Sequence, residues 1–219
     1  MDCGDGSIRK IMETHTDCGS ISNIFITHYH SDHLSGLIQV IETMGIEKRT
    51  RDLFVYGPKG LKEYFSIAQK TTSVASNRRF EVNIREIEQG EKTSLGEYVI
   101  TPVSMQHTIP CLGYRIEHSA FSAAYTGDTE PCANSISLAQ GVDLLIHEAT
   151  YLKKDLAKAR EAKHSTPTEA AEIAIKAEAS GLVLTHVNDR YESDKEMLQE
   201  CERIYAKTKI ARDGLEIEL

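Results

Sequence analysis

Apolar and polar positions change period several times along the chain. Ile24-Phe25-Ile26-Thr27 is a short, β-branched apolar run, which predicts a buried strand. Leu34, Leu37, Ile38 and Ile41 then recur at helical spacing behind Ser31 and Asp32, both good N-cap residues. A second strand-helix unit follows: residues 53–56 are extended, Gly57-Pro58 makes a turn, and Leu61, Tyr64, Phe65 and Ala68 share one helix face. Between Phe80 and Tyr125 the period falls to two, in Val82, Ile84 and Ile87, then Val99 and Thr101, then Tyr114 and Ile116. Gly90, Gly96 and His118-Ser119 supply turns, and the stretch predicts antiparallel sheet. The last third alternates again: a strand at 143–146, an alanine-rich helix at 168–179 and a buried strand at 182–184. A helix at 194–207 with Met197, Leu198, Cys201, Ile204 and Tyr205 inward and a strand at 214–219 complete the pattern. No solenoid repeat, low-complexity tract or Pro/Ser-rich linker interrupts it. The expectation is one domain over residues 1–219, an α+β four-layer αββα sandwich with helices outside two packed sheets.

Charge narrows the partners. Acids outnumber bases by 33 to 25, a net charge of −8, which opposes a broad basic surface that would hold a polyanion by counterion release. Cys3, Cys18, Cys111, Cys132 and Cys201 are odd in number and form no C-x-x-C pair, so neither a disulfide framework nor a cysteine zinc site is expected. With no basic leader and no run of 18 apolar residues, a cytoplasmic protein without a membrane partner is expected.

The candidate chemistry is concentrated in Thr27-His28-Tyr29-His30-Ser31-Asp32-His33, three histidines and an aspartate at the end of a predicted strand. Neutral imidazole and carboxylate are the usual nitrogen and oxygen ligands of zinc and similar divalent ions. On extended chain His28 and His30 point to the same side and can reach one ion, while the turn into the helix redirects Asp32 and His33 toward a second position. Further candidates stand at the ends of other predicted strands: His107, Asp128 in Thr126-Gly127-Asp128-Thr129, and His186 in Leu184-Thr185-His186. Taken singly these are a loop histidine, a turn aspartate and the neighbour of a cap; taken with the first cluster they form a ligand set.

This pattern resembles the metallo-β-lactamase superfamily, over nearly the whole chain. Softer matches are similar to its ribonuclease Z-like branch: Asp2-Cys3-Gly4-Asp5-Gly6, Gly57-Pro58-Lys59-Gly60, Gly113-Tyr114-Arg115-Ile116, Leu145-Ile146-His147-Glu148-Ala149-Thr150, His164-Ser165-Thr166, Arg190-Tyr191 and Asp213-Gly214-Leu215. The resemblance implies that His28, His30 and His107 hold one divalent ion and Asp32, His33 and His186 the other, with Asp128 bridging. Zinc is the expected ion, with manganese or iron compatible with the same ligands. It further implies a metal-bound hydroxide as nucleophile and His164 as the acid that protonates the leaving group, beside Asp32 and Glu148 as catalytic candidates. Glu148 is expected to orient His164 or a ligand, and Asp2 to support the first cluster. His15, His118 and His147 read as surface or packing residues.

Two departures qualify the resemblance. Ribonuclease Z enzymes commonly insert a long arm that grips the tRNA body between the third histidine and the bridging aspartate. Only about twenty residues separate His107 from Asp128, enough for an ordinary hairpin. The chain also starts almost on the Asp-Cys-Gly motif, about thirty residues later than its relatives, so the expectation is a domain lacking its first strands. The implied activity is a dinuclear phosphodiester hydrolase cutting RNA near a 3′ end, as tRNA 3′-processing endoribonucleases do, in a family that tends to form homodimers. The alternative is the same chemistry on a small or cyclic phosphodiester.

Overall fold

A computed structural model describes residues 1–72, 78–188, 190–191 and 194–219 of the chain. Its contacts gather into two compact units, residues 1–88 and 89–219.

The first unit is a three-stranded parallel sheet in the order β1 (Asn23–Phe25), β2 (Leu53–Gly57), β3 (Val82–Glu86). Parallel neighbours need a crossover, and helices supply it here. After α1 (Ser7–Glu13), the chain runs through β1 into α2 (Ser31–Leu34) and α3 (Leu37–Ile46), and α4 (Leu61–Thr71) links β2 toward β3. Leu37, Val40, Ile41 and Met44 of α3 are buried at i, i+3, i+4 and i+7, the spacing of a single helical stripe. With Leu61 and Phe65 of α4 and Leu53 and Val55 of β2 they make this unit's core. The glutamate closing β3 reaches back to cap α4: Glu86 Oε1 accepts the backbone N–H of Gly60 at 2.8 Å and of Lys62 at 3.1 Å.

The second unit is a seven-stranded sheet in the order β10-β9-β8-β7-β6-β5-β4. Its strands β4 (Thr93–Leu95), β5 (Tyr98–Met105), β6 (Cys111–Glu117) and β7 (Ser122–Tyr125) are antiparallel, while β8 (Leu144–Glu148), β9 (Leu182–Thr185) and β10 (Thr208–Ile210) continue parallel to β7. Helices α5 (Ala133–Ala139), α6 (Leu156–Ala162), α7 (Pro167–Lys176) and α8 (Asp194–Glu202) complete it. Small residues of α7, Ala170, Ala171 and Ala174, let that helix approach Leu145, Leu182 and Leu184 of the sheet. Because β5 and β7 run the same way as β8 and β9, the C-terminal ends of all four strands lie on one sheet edge. No described helix is long and apolar enough to cross a membrane.

Three expectations are corrected. The strand at 82–86 does not join the antiparallel run but pairs parallel with β2, since period-two alternation marks a strand without naming its partner. Residues 214–219 form no strand; Gly214 turns with φ 76° and Leu215 and Leu219 are exposed, and β10 takes the sheet edge with Thr208 and Ile210 buried. The helix begun at Asp194 stops at Glu202, where the N–H groups of Ile204 and Tyr205 both turn back to the Cys201 carbonyl.

Candidate metal-binding clusters

In the first unit the ligand-rich segment leaves β1 through buried Ile26 and Thr27 and enters α2 at Ser31. Asp2 lies alongside it, its N–H donating to the Phe25 carbonyl at 2.7 Å. The Asp2 carboxylate accepts the Thr27 N–H at 2.7 Å and the Thr27 hydroxyl at 3.0 Å, and Oδ2 stands 2.8 Å from His33 Nδ1. Because the Thr27 proton goes to Asp2, Thr27 Oγ1 can only accept from His28 Nδ1, 2.9 Å away. His28 and His33 therefore carry their protons on Nδ1 and present Nε2 as the lone-pair nitrogen, the state a metal requires. His28 Nε2 faces His30 Nδ1 at 3.1 Å, and His33 Nε2 faces Asp32 Oδ2 at 3.6 Å.

A backbone contact sets this cluster. Cys3 N–H donates to the His33 carbonyl at 2.8 Å and Gly36 N–H to the Cys3 carbonyl at 2.9 Å, which ties the Asp2 segment to the α2–α3 junction. Gly4 and Gly36 allow it: a Cβ on Gly4 would collide with the Asp32 carbonyl oxygen, and one on Gly36 with that of Gly4.

In the second unit His107, Asp128, Glu148 and His186 all stand at or just beyond the C-terminal ends of β5, β7, β8 and β9, the sheet edge where loops assemble sites. Asp128 is 2% exposed, and its Oδ2 lies 3.8 Å from His107 Nε2, 3.6 Å from His186 Nε2 and 4.0 Å from His164 Nδ1. The donor atoms of Asp128, His164 and His186 are all within 4.8 Å of one another. His107 Nδ1 is 3.1 Å from the Lys163 carbonyl, which can only accept, so its Nε2 also holds the lone pair. Lys163 offers that carbonyl from the left-handed C-cap of α6, at φ 54°. Imidazole nitrogens gathered around one buried carboxylate, with second nitrogens engaged by acceptors, fit a divalent cation of histidine and aspartate preference.

Glu148 has no exposed surface. Its Oε1 lies 2.7 Å from His164 Nδ1 and accepts the Thr129 N–H at 2.9 Å, while Oε2 accepts the Thr150 hydroxyl at 2.8 Å. His164 is braced from both sides. Ser165 Oγ donates to the Thr129 carbonyl at 2.7 Å, and Thr166 forms a capping box with Glu169 at the start of α7, where Pro167 takes the first position.

Each unit thus brings together the ligand-type residues expected of it. Thr27, Thr150 and Ser165 fall inside quoted motif segments, but sequence reasoning assigned them no contact, and the Lys163 carbonyl, a backbone group, carries no sequence signal. His147 is buried and His118 packs against Tyr98 and Phe121, whereas His15 is exposed.

The model of the beta-lactamase superfamily domain family matches residues 2–187. The chain is 33% identical to ribonuclease Z of Gemmatimonas aurantiaca, covering 100% of this chain and 85% of that one, and 30% identical to ribonuclease BN of Citrobacter koseri, covering 97% and 86%. The G. aurantiaca alignment takes 275 positions against the 219 residues of this chain, so the relative carries insertions within the shared span. Among solved structures, human tRNase Z, short form, superposes with a TM-score of 0.83 at 26% identity, covering 99% of this chain and 86% of that one. The metallo-beta-lactamase fold protein YhfI from Bacillus subtilis gives 0.80 at 24%, covering 98% and 83%.

Proposed function

Because the chain belongs to the metallo-β-lactamase superfamily and, within it, to the ribonuclease Z family of metal-dependent hydrolases, we propose that it hydrolyses phosphodiester bonds of RNA near a 3′ end with two divalent ions. In this reading His28, His30 and His107 would hold one ion, Asp32, His33 and His186 the other, and Asp128 would be shared; such donors suit zinc and are compatible with manganese or iron. When bound, the ions lower the pKa of water and draw charge from the phosphoryl oxygens. The protein's own residues supply the rest. Asp2, Thr27 and the Lys163 carbonyl hold His33, His28 and His107 in the ligand tautomer. Glu148 grips His164 at Nδ1, which orients the ring and stabilises its charged form, so that Nε2 can deliver a proton to the departing ribose oxygen.

The observation that carries this reading is the Glu148–His164 pair beside Asp128 and His186. His164→Ala should reduce cleavage of a precursor tRNA by about 10²–10⁴-fold, the usual worth of a general acid. It should reduce hydrolysis of a bis-(p-nitrophenyl) phosphodiester far less, because a nitrophenolate leaves without protonation. Equal losses on both substrates would remove His164 from that role. Metal analysis finding fewer than two ions per chain in active enzyme would overturn the dinuclear reading.

One observation favours a second reading. All residues between His107 and Asp128 are used by β6, β7 and their short links, so no arm is present there to hold a tRNA body. Hydrolysis of small diesters without cleavage of the RNA would make the chain a small-diester phosphodiesterase with the same machinery.

A further inference from the structure

Thr150 follows β8 by two residues and is 4% exposed, yet its hydroxyl touches three groups of the site. It donates to Glu148 Oε2 at 2.8 Å, and it lies 2.8 Å from His186 Nδ1 and 3.2 Å from His164 Nδ1. A hydroxyl has one proton and two lone pairs. The proton is committed to Glu148, an acceptor only, so toward His186 the Thr150 oxygen can only accept. His164 Nδ1 has its nearer partner in Glu148 Oε1, at 2.7 Å. The shorter of the two imidazole contacts of Thr150 is therefore the one to His186.

We propose that Thr150 is a positioning residue that relays the Glu148 charge to His186: it holds the His186 proton on Nδ1 and turns Nε2 toward Asp128. One buried carboxylate then serves two imidazoles, His164 directly through Oε1 and His186 through Thr150 from Oε2. His186 stands immediately beyond β9 at φ 54°, in the left-handed region that histidine enters more readily than most side chains, and the Thr150 hydroxyl meets its ring there. The inference rests on the proposed use of His186 as a metal ligand.

Two measurements test it. In metal-free wild-type protein, ¹⁵N-detected histidine spectra should show His186, identified by the signal lost in His186→Gln, as the Nδ1–H tautomer; an Nε2–H tautomer overturns the relay whatever the variants do. In cobalt titrations followed by visible absorption, Thr150→Val should weaken one of the bound ions by about 10–100-fold, the typical effect of losing a partner of a ligand, while Thr150→Ser, which keeps the hydroxyl, restores wild-type affinity. Thr150→Val holding both ions as tightly as wild type would refute the proposal. Wild-type protein that takes up no cobalt would instead count against the metal reading itself, which keeps the two failures apart.

Discussion

Glu148 and His147 are neighbours on β8 with opposite fates, because successive residues of a strand point to opposite faces. The glutamate is saturated by hydrogen bonds. His147 is equally buried, donates from Nδ1 to the Glu148 carbonyl at 2.8 Å, and has no partner for Nε2 among the described residues. Burial pushes its pKa down, so it stays neutral in the fold. A base with a lowered folded pKa contributes stability that is complete above its unfolded value of about 6.5 and is lost as pH falls below it, at up to ~1.4 kcal/mol per pH unit. Urea unfolding of wild type and His147→Gln at pH 7.5 and 5.5 checks this: wild type should lose more stability on acidification than the variant, and equal losses would mean that His147 titrates as it does in water. The approach of Glu148 to His164 and the burial of His147 were legible in the sequence. The part of Thr150 was not, since the work of a hydroxyl depends on which imidazole nitrogen arrives beside it.

At the level of elements, the strand ends carry the design. Sequence periodicity located β1, β5, β7, β8 and β9 closely enough to place the ligand residues at or just past them. It missed the glycine contact that ties the Asp2 segment to the α2–α3 junction, because a close approach of two backbones leaves no hydrophobic pattern. Gly36→Ala should destabilise the protein by about 1–3 kcal/mol, the cost of overpacking, and loosen the Asp2–His33 hydrogen bond. Gly45→Ala is the contrast. It lies within α3, and its Cβ would meet only the Arg78 side chain, at an ordinary 3.7 Å, so a gain of about 0.4–1 kcal/mol is expected. Chemical denaturation of the two variants tests both signs. The misassigned direction of β3 has the same origin as the missed contact: what a strand pairs with is decided by the crossover helix before it, which local alternation does not encode.

For the molecule as a whole, the net charge of −8 and the partly buried ligand sets pull in different directions. The acidic surface argues for few phosphate contacts outside the site, so catalysis should show only a shallow dependence on salt. Ions that bind the assembled ligands and not the unfolded chain stabilise the fold by mass action, so chelation should abolish hydrolysis and lower the melting temperature, with zinc restoring both; an unchanged melting temperature would show that the fold is indifferent to metal. The hairpin between β6 and β7 offers a last consequence. Its tip is closed by the His118 N–H bonding to the Phe121 carbonyl at 2.9 Å, and the site residues stand past the opposite ends of its neighbouring strands. Loop entropy rises by only about 0.6 kcal/mol per doubling of length, so this turn can take up extra residues while the ligand-bearing strand ends at the far side of the sheet keep their places.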